Sequence, residues 1–208
     1  DYRKNKALNN EDNFQLKPTD EILFVASKIA IEMKLLGKNE LSYNNDNSII
    51  PVETVYNLTY DLRCGKKIIF TKELVDYTLK TKIFCKINDK FSIEQQTYKD
   101  FLVARYLYKM RASEKNLFKL LKVKNDFHPN FTESLAYLAV KNNKIFKTVL
   151  KEIPERILLS SVFFCNEKKK EALFNVYLKC VKNDTISFWE YSPGRVFFNK
   201  TNWFQKGY

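Results

Sequence analysis

Apolar residues recur at helical spacing along most of the chain. The first stripe is Ile22, Val25, Ala26, Ile29, Ala30, Met33 and Leu36, which share one face at a period of 3.6. Thr19 or Asp20 stands where an N-cap belongs, Glu21 adds negative charge to the first turn, and Gly37 is placed to end the helix. After a polar stretch, 38–48, Pro51 introduces an expected second helix over 52–63, closed by Gly65. Thr71 caps an expected third helix over 72–81. In KIFCKINDKFSI two β-rich runs flank Asn88-Asp89, which predicts one hairpin over 83–93. The next segment, FSIEQQTYKDFLVARYL at 91–107, runs from that hairpin into a helix. Its expected packed face is Tyr98, Phe101, Leu102, Arg105 and Tyr106. From Ser113 onward the pattern is helical, with helices expected over 113–123, 131–142, 144–151, 154–162 and 167–182. The fold class is therefore mainly α: a helical domain over 19–110 with one β-hairpin, then an all-helical domain over 111–208. Residues 1–18, polar and Asn-rich up to Pro18, read as a linker.

Three stretches resemble a known family. The segment 91–107 is similar to the strand-to-helix element of the winged-helix region in NACHT-type NTPases, the nucleotide-switched signalling ATPases of the STAND class. Tyr98, Phe101, Leu102, Ala104, Arg105, Tyr106 and Leu107 match that element; the family's His falls on Gln95, its Glu on Asp100 and its first Ala on Val103. IAIEMKLLG at 29–37 looks like the helix that precedes this winged helix. FTESLAYLAVKNNKIFKTVLKEIPERILLSS at 131–161 resembles a unit that follows it in bacterial antiphage members, through Glu133, Leu138, Ala139, Asn142, Phe146, Leu150, Pro154, Leu158 and Leu159. The resemblance implies a winged-helix-like domain with the hairpin as its wing. It also implies the start of a helical-repeat array of the HEAT or TPR kind, in which the aromatic-dense stretch 186–208 opens a further, truncated repeat. It implies a regulatory or sensor fragment of a cytoplasmic, antiviral (antiphage) innate-immunity NTPase, joined to an upstream NTPase core that holds ATP or ADP and magnesium. A protein trigger would dock on the helical array.

Composition fits this picture and narrows it. With 45% hydrophobic and 15% aromatic residues in 208, the chain can fill a core, and four Gly and five Pro leave few turn signals. No run of about 18 apolar residues exists, so no membrane partner is expected, and the polar opening DYRKNK predicts no secretory leader. Cys64, Cys85, Cys165 and Cys180 are far apart and read as buried free thiols rather than a metal or disulfide framework. The net charge is +12; residues 1–110 hold 18 Lys/Arg against 15 Asp/Glu, and 111–208 hold 18 against 9. This basic second half predicts weak, non-specific attraction to nucleic acid, and the Lys and Asn excess is also what an AT-rich genome produces.

Candidate chemistry is sparse. No GxxxxGK[ST] loop occurs, so this chain is not expected to be an enzyme, and it carries no cofactor or metal motif of its own. Gln95 is the one candidate nucleotide contact. Where the family's His meets the β-phosphate of ADP, a neutral amide can donate a hydrogen bond but cannot become cationic; otherwise Gln95 is a polar residue at a helix start. His128, the only histidine, sits in a loop without a nucleophile at motif spacing. Arg105 is expected to fix its helix by an ion pair or stacking contact. Lys168, Lys169 and Lys170 read as a solvated helix start. The alternative function is a winged-helix nucleic-acid binder, with helix 72–81 and wing lysines Lys86 and Lys90 as its reading surface.

Overall fold

The computed structural model describes residues 19–44, 47–62, 64–110, 113–124, 126–158, 160, 162 and 166–183. The expected linker 1–18, the aromatic stretch 186–208 and Cys165 lie outside the described residues. The described part is mainly helical, with eight α-helices and three small sheets.

Helix α1, Thr19–Leu36, carries Asp20 and Glu21 in its first turn. It ends in a left-handed Gly37 (φ 66°) with the Lys38 amide donating to the Met33 carbonyl at 3.0 Å, the bond pattern of a Schellman stop. The buried side of α1 is broader than the expected stripe. Phe24, Ile31 and Ser27 join it, whereas Leu36 is exposed. A helix apolar on this many sides lies in the middle of its neighbours.

Strand β1, Glu40–Ser42, pairs antiparallel with β6, Lys90–Ser92, and parallel with β2, Ile50–Pro51; β6 also pairs with β5, Cys85–Ile87. The result is a four-stranded sheet of order β2-β1-β6-β5 in place of the single hairpin expected. The hairpin itself forms where Asn88 and Asp89 predict it, both with positive φ (47° and 61°), as a two-residue turn with the twist of paired strands requires. The expected helix over 52–63 does not form. Val52–Val55 make one 3-10 turn, Asn57 turns left-handed (φ 58°), and β3, Thr59–Asp61, pairs with β4, Lys67–Ile69. The local period there is two: Tyr60 and Leu62 face inward, Thr59 and Asp61 outward. Helix α2, Lys72–Leu79, starts as expected, with the Thr71 hydroxyl accepting from the Leu74 amide.

Helix α3, Gln96–Lys109, packs against α1 on one side and α5, Thr132–Lys141, on another. Phe24, Tyr60, Phe70 and Tyr106 lock α1, β3, the approach to α2 and α3 together. Phe24 stacks on Tyr106 at 5.6 Å, and Tyr60 lies 5.0 Å from Phe70 between ring centres. Helix α4, Glu114–Leu121, leads to a two-residue hairpin, β7 (Lys122–Val123) with β8 (Asp126–Phe127), so the second half is not wholly helical. Helices α6 (Asn143–Glu152), α7 (Pro154–Leu158) and α8 (Glu167–Lys182) follow. Asn142 caps α6 by accepting from Lys144 and Ile145, and α5 packs on α6 and α7 while α8 packs on α7. No described helix is long and apolar enough to cross a membrane.

Candidate functional site

The three segments that carry the family resemblance meet at one buried polar cluster. Lys34 comes from the last turn of α1, Asp100 from the first turns of α3 and Ser134 from the start of α5. The side chains of Lys34 and Asp100 are 6% and 4% exposed and form an ion pair. Ser134, fully buried, donates to Asp100 Oδ1 at 2.7 Å and accepts from Lys34 Nζ at 3.3 Å. Gln96 Nε2 donates to the other carboxylate oxygen at 3.1 Å. The Phe131 ring covers the ammonium at 5.5 Å.

A second buried lysine lies beside this group. Lys99 donates to Asn39 Oδ1 at 2.8 Å. Burial, and then the neighbouring Lys99 ammonium, push Lys34 down to about 8, while Glu133 pulls it the other way. Burial also lowers Lys99. Glu133 is itself held by Ser160, whose hydroxyl donates to it at 2.7 Å.

The Ser134–Lys34 contact has the residue types of a nucleophile and its base, but its polarity is wrong for that task. A base must accept the serine proton; here the hydroxyl is turned to the Asp100 carboxylate at 2.7 Å, and the lysine nitrogen lies farther off at 3.3 Å. With Ser134 at 0% exposure, no substrate reaches it. What the arrangement can do is fix three helices at one point.

The packed face of α3 differs from the expected one. Its buried residues are Lys99, Asp100, Leu102, Val103, Ala104 and Leu107, so the helix is turned by about one residue from the face centred on Phe101. Phe101 is 37% exposed and lies between Tyr98, stacked at 6.1 Å, and Tyr137, edge-on at 5.7 Å. A search for apolar periodicity passes over Lys99 and Asp100 because both are charged; each is buried against a partner. Lys34 was missed for the same reason, although its place four residues after Ala30 put it on the apolar stripe.

Gln95 is exposed at the N-cap position of α3 and forms no side-chain cap bond; its carbonyl accepts from the Lys99 amide. Arg105 pairs with Asp20 at the start of α1, and Lys109 lies 3.4 Å from the same carboxylate. Burial pulls Asp20 upward, but the hydrogen bond and charge of Arg105, with Lys109, outweigh it and hold its pKa below the usual value. His128 accepts from the Asn130 amide through Nδ1 at 3.1 Å and thereby caps a 3-10 turn. The expected solvated lysine run is partly buried. Lys169 donates to the Ala139 and Val140 carbonyls at 2.7 and 2.8 Å, capping the end of α5, and Lys170 is 3% exposed. Cys64 is exposed and Cys85 half-buried, so neither is the buried thiol expected. Each of the hairpin lysines expected to read nucleic acid faces a carboxylate, Lys86 with Asp89 at 2.8 Å and Lys90 with Glu40 at 3.1 Å. Compared with protein-family models, curated proteins and solved structures, the chain matches none.

Proposed function

We propose that this chain is the regulatory part of a NACHT-like signalling NTPase, in which a winged-helix-like domain couples nucleotide state to a helical-repeat sensor. The observation that carries this reading is the convergence at Lys34, Asp100 and Ser134. Three stretches that resemble the family separately, at 29–37, 91–107 and 131–161, supply one side chain each to a single buried contact. The strand order adds support: β1, lying between α1 and α2, pairs with the second strand of the β5–β6 hairpin, as the first strand of a winged helix pairs with its wing. On this reading, exposed Gln95 offers its amide to the phosphate of ADP held by an upstream core, and a protein trigger docks on α5–α8. The parent protein serves antiphage defence in the cytoplasm. Such switches depend on a domain contact with two arrangements, biased by ligand.

The reading is tested by extending the protein upstream through its coding sequence. The longer protein should bind ATP or ADP with magnesium through a GxxxxGK[ST] loop, and the 208-residue chain alone should neither bind nor hydrolyse them. An extended protein without nucleotide binding would sink the reading.

The alternative, a winged-helix nucleic-acid binder, is weakened by the carboxylates at Lys86 and Lys90. A phosphate backbone would have to displace Asp89 and Glu40, although exposed pairs of this kind are worth only about 0–1 kcal/mol. DNA and RNA binding should therefore be weak and vanish near about 150 mM salt. Submicromolar, sequence-dependent binding at that salt would favour the alternative.

A further inference from the structure

We propose that Lys34, Asp100 and Ser134 form a latch by which the C-terminal helices α5–α8 close on the α1–α3 block and from which they open as one unit. The argument starts from an asymmetry in the cluster. Lys34 and Asp100 belong to α1 and α3, on the same side of the joint, and satisfy each other whether or not α5 is present. From the other side Ser134 supplies the hydrogen bonds, using its hydroxyl both as donor and as acceptor. Withdrawing α5 therefore leaves the Lys34–Asp100 ion pair intact, and Glu133, which attracts Lys34 across the joint, keeps its hydrogen bond from Ser160. Water can take the place of one hydroxyl, since it too donates and accepts. A joint whose ion pair spanned it would strand a buried charge on opening, at far greater cost.

The second half is meanwhile tied to itself. Ser160 donates to Glu133, joining the end of α7 to α5. Lys169 carries the start of α8 onto the last carbonyls of α5. Arg156 of α7 donates to the Phe127 carbonyl at 2.8 Å and pairs with Asp126. Lys122 pairs with Glu152 of α6. These ties travel with α5. Across the joint lie the Ser134 hydroxyl, the Phe131 ring over Lys34, the Phe101–Tyr137 edge contact and the apolar α3–α5 packing. Sub-global opening runs between units that each carry their own internal ties.

The latch deepens the switch reading but does not depend on it: an extended protein that binds no nucleotide leaves the latch intact. The test is hydrogen exchange, followed by mass spectrometry, on the 208-residue chain and its Ser134→Ala variant. Protection across 132–182 should fall about tenfold, the equivalent of one hydrogen bond to a charged group. Protection across 19–36 and 96–109 should stay within about twofold. An equal fall in both halves, or no fall in either, would overturn the proposal. A second variant guards against a purely local effect. Lys34→Met/Asp100→Leu/Ser134→Ala replaces the polar cluster by apolar groups of similar size and should melt at or above the temperature of Asp100→Ala. Melting below that single variant would mean that the joint is held by something other than the cluster.

Discussion

Removing Asp100 is the sharpest probe of the buried cluster. In Asp100→Ala the Lys34 ammonium, 6% exposed, loses its counter-ion, and Gln96 and Ser134 lose their acceptor. Breaking one side of a buried pair costs about 3–5 kcal/mol because the remaining charge is uncompensated. The two lost hydrogen bonds do not add in full: Ser134 still receives from Lys34, and groups in one network are not additive. The expected loss is thus about 3–5 kcal/mol, a large share of the roughly 5–15 kcal/mol of a typical domain. Part of it can be relieved by proton loss, since burial already holds Lys34 down at about 8. Urea unfolding at pH 7, followed by far-UV circular dichroism, measures the loss. Adding Lys34→Met to Asp100→Ala should recover most of it, because the stranded charge is then gone. A loss below about 1 kcal/mol, or no recovery in the double variant, would refute the assignment of the cluster as a desolvated pair.

Phe101→Ala should cost about 1–2 kcal/mol, from its two ring contacts and partial burial, rather than the roughly 3–5 kcal/mol of an enclosed aromatic; urea unfolding above about 3 kcal/mol would put Phe101 in the core. Tyr177 is 1% exposed and its hydroxyl has no partner among the described residues, so Tyr177→Phe should leave stability unchanged or raise it by about 1 kcal/mol, and a measured decrease would reveal a hidden acceptor. Stability should rise as pH goes from about 8 towards 10.5. In that window Lys34 has shed its proton in the folded chain and still holds it in the unfolded one, so unfolding takes up a proton; Lys34→Met should flatten the rise, and a wild-type curve that is flat or falling between pH 8 and 10 contradicts the assignment.

Helix boundaries were legible wherever a cap marks them. Thr71, Ser113 and Asn142 each accept from a first-turn amide, Gly37 stops α1, and α8 runs over the residues its pattern predicts. Where no cap stands, the period was misread. Val52–Val55 stop at one 3-10 turn, Thr59–Asp61 pair as a strand, and the left-handed Asn57 between them breaks any helix there. Strand β1 is hidden in the sequence because its antiparallel partner is distant; Leu41 pairs with Phe91. The cluster was illegible for a different reason. Lys34, Lys99 and Asp100 are charged, and sequence patterns assign charge to the surface. Only the fold reveals that Asn39, Ser134 and Gln96 stand ready to satisfy them. Asp100 stands out in the sequence only through the resemblance, as the residue on the family's Glu.

The outer strand of the four-stranded sheet bears on edge-to-edge association of strands. Around a two-residue turn, Ile87 and Lys90 form the hydrogen-bonded pair next to the loop, and Cys85 with Ser92 the next such pair. Lys86, between them, is the residue of β5 whose backbone amide and carbonyl point to the open edge. A foreign strand arriving there meets one residue's worth of ladder, topped by an ammonium. Short, lysine-bearing rims of this kind resist fibre growth. Exposed Ile87 beside it would be hazardous on a longer, uncharged rim, and here it is left with too little backbone to extend from.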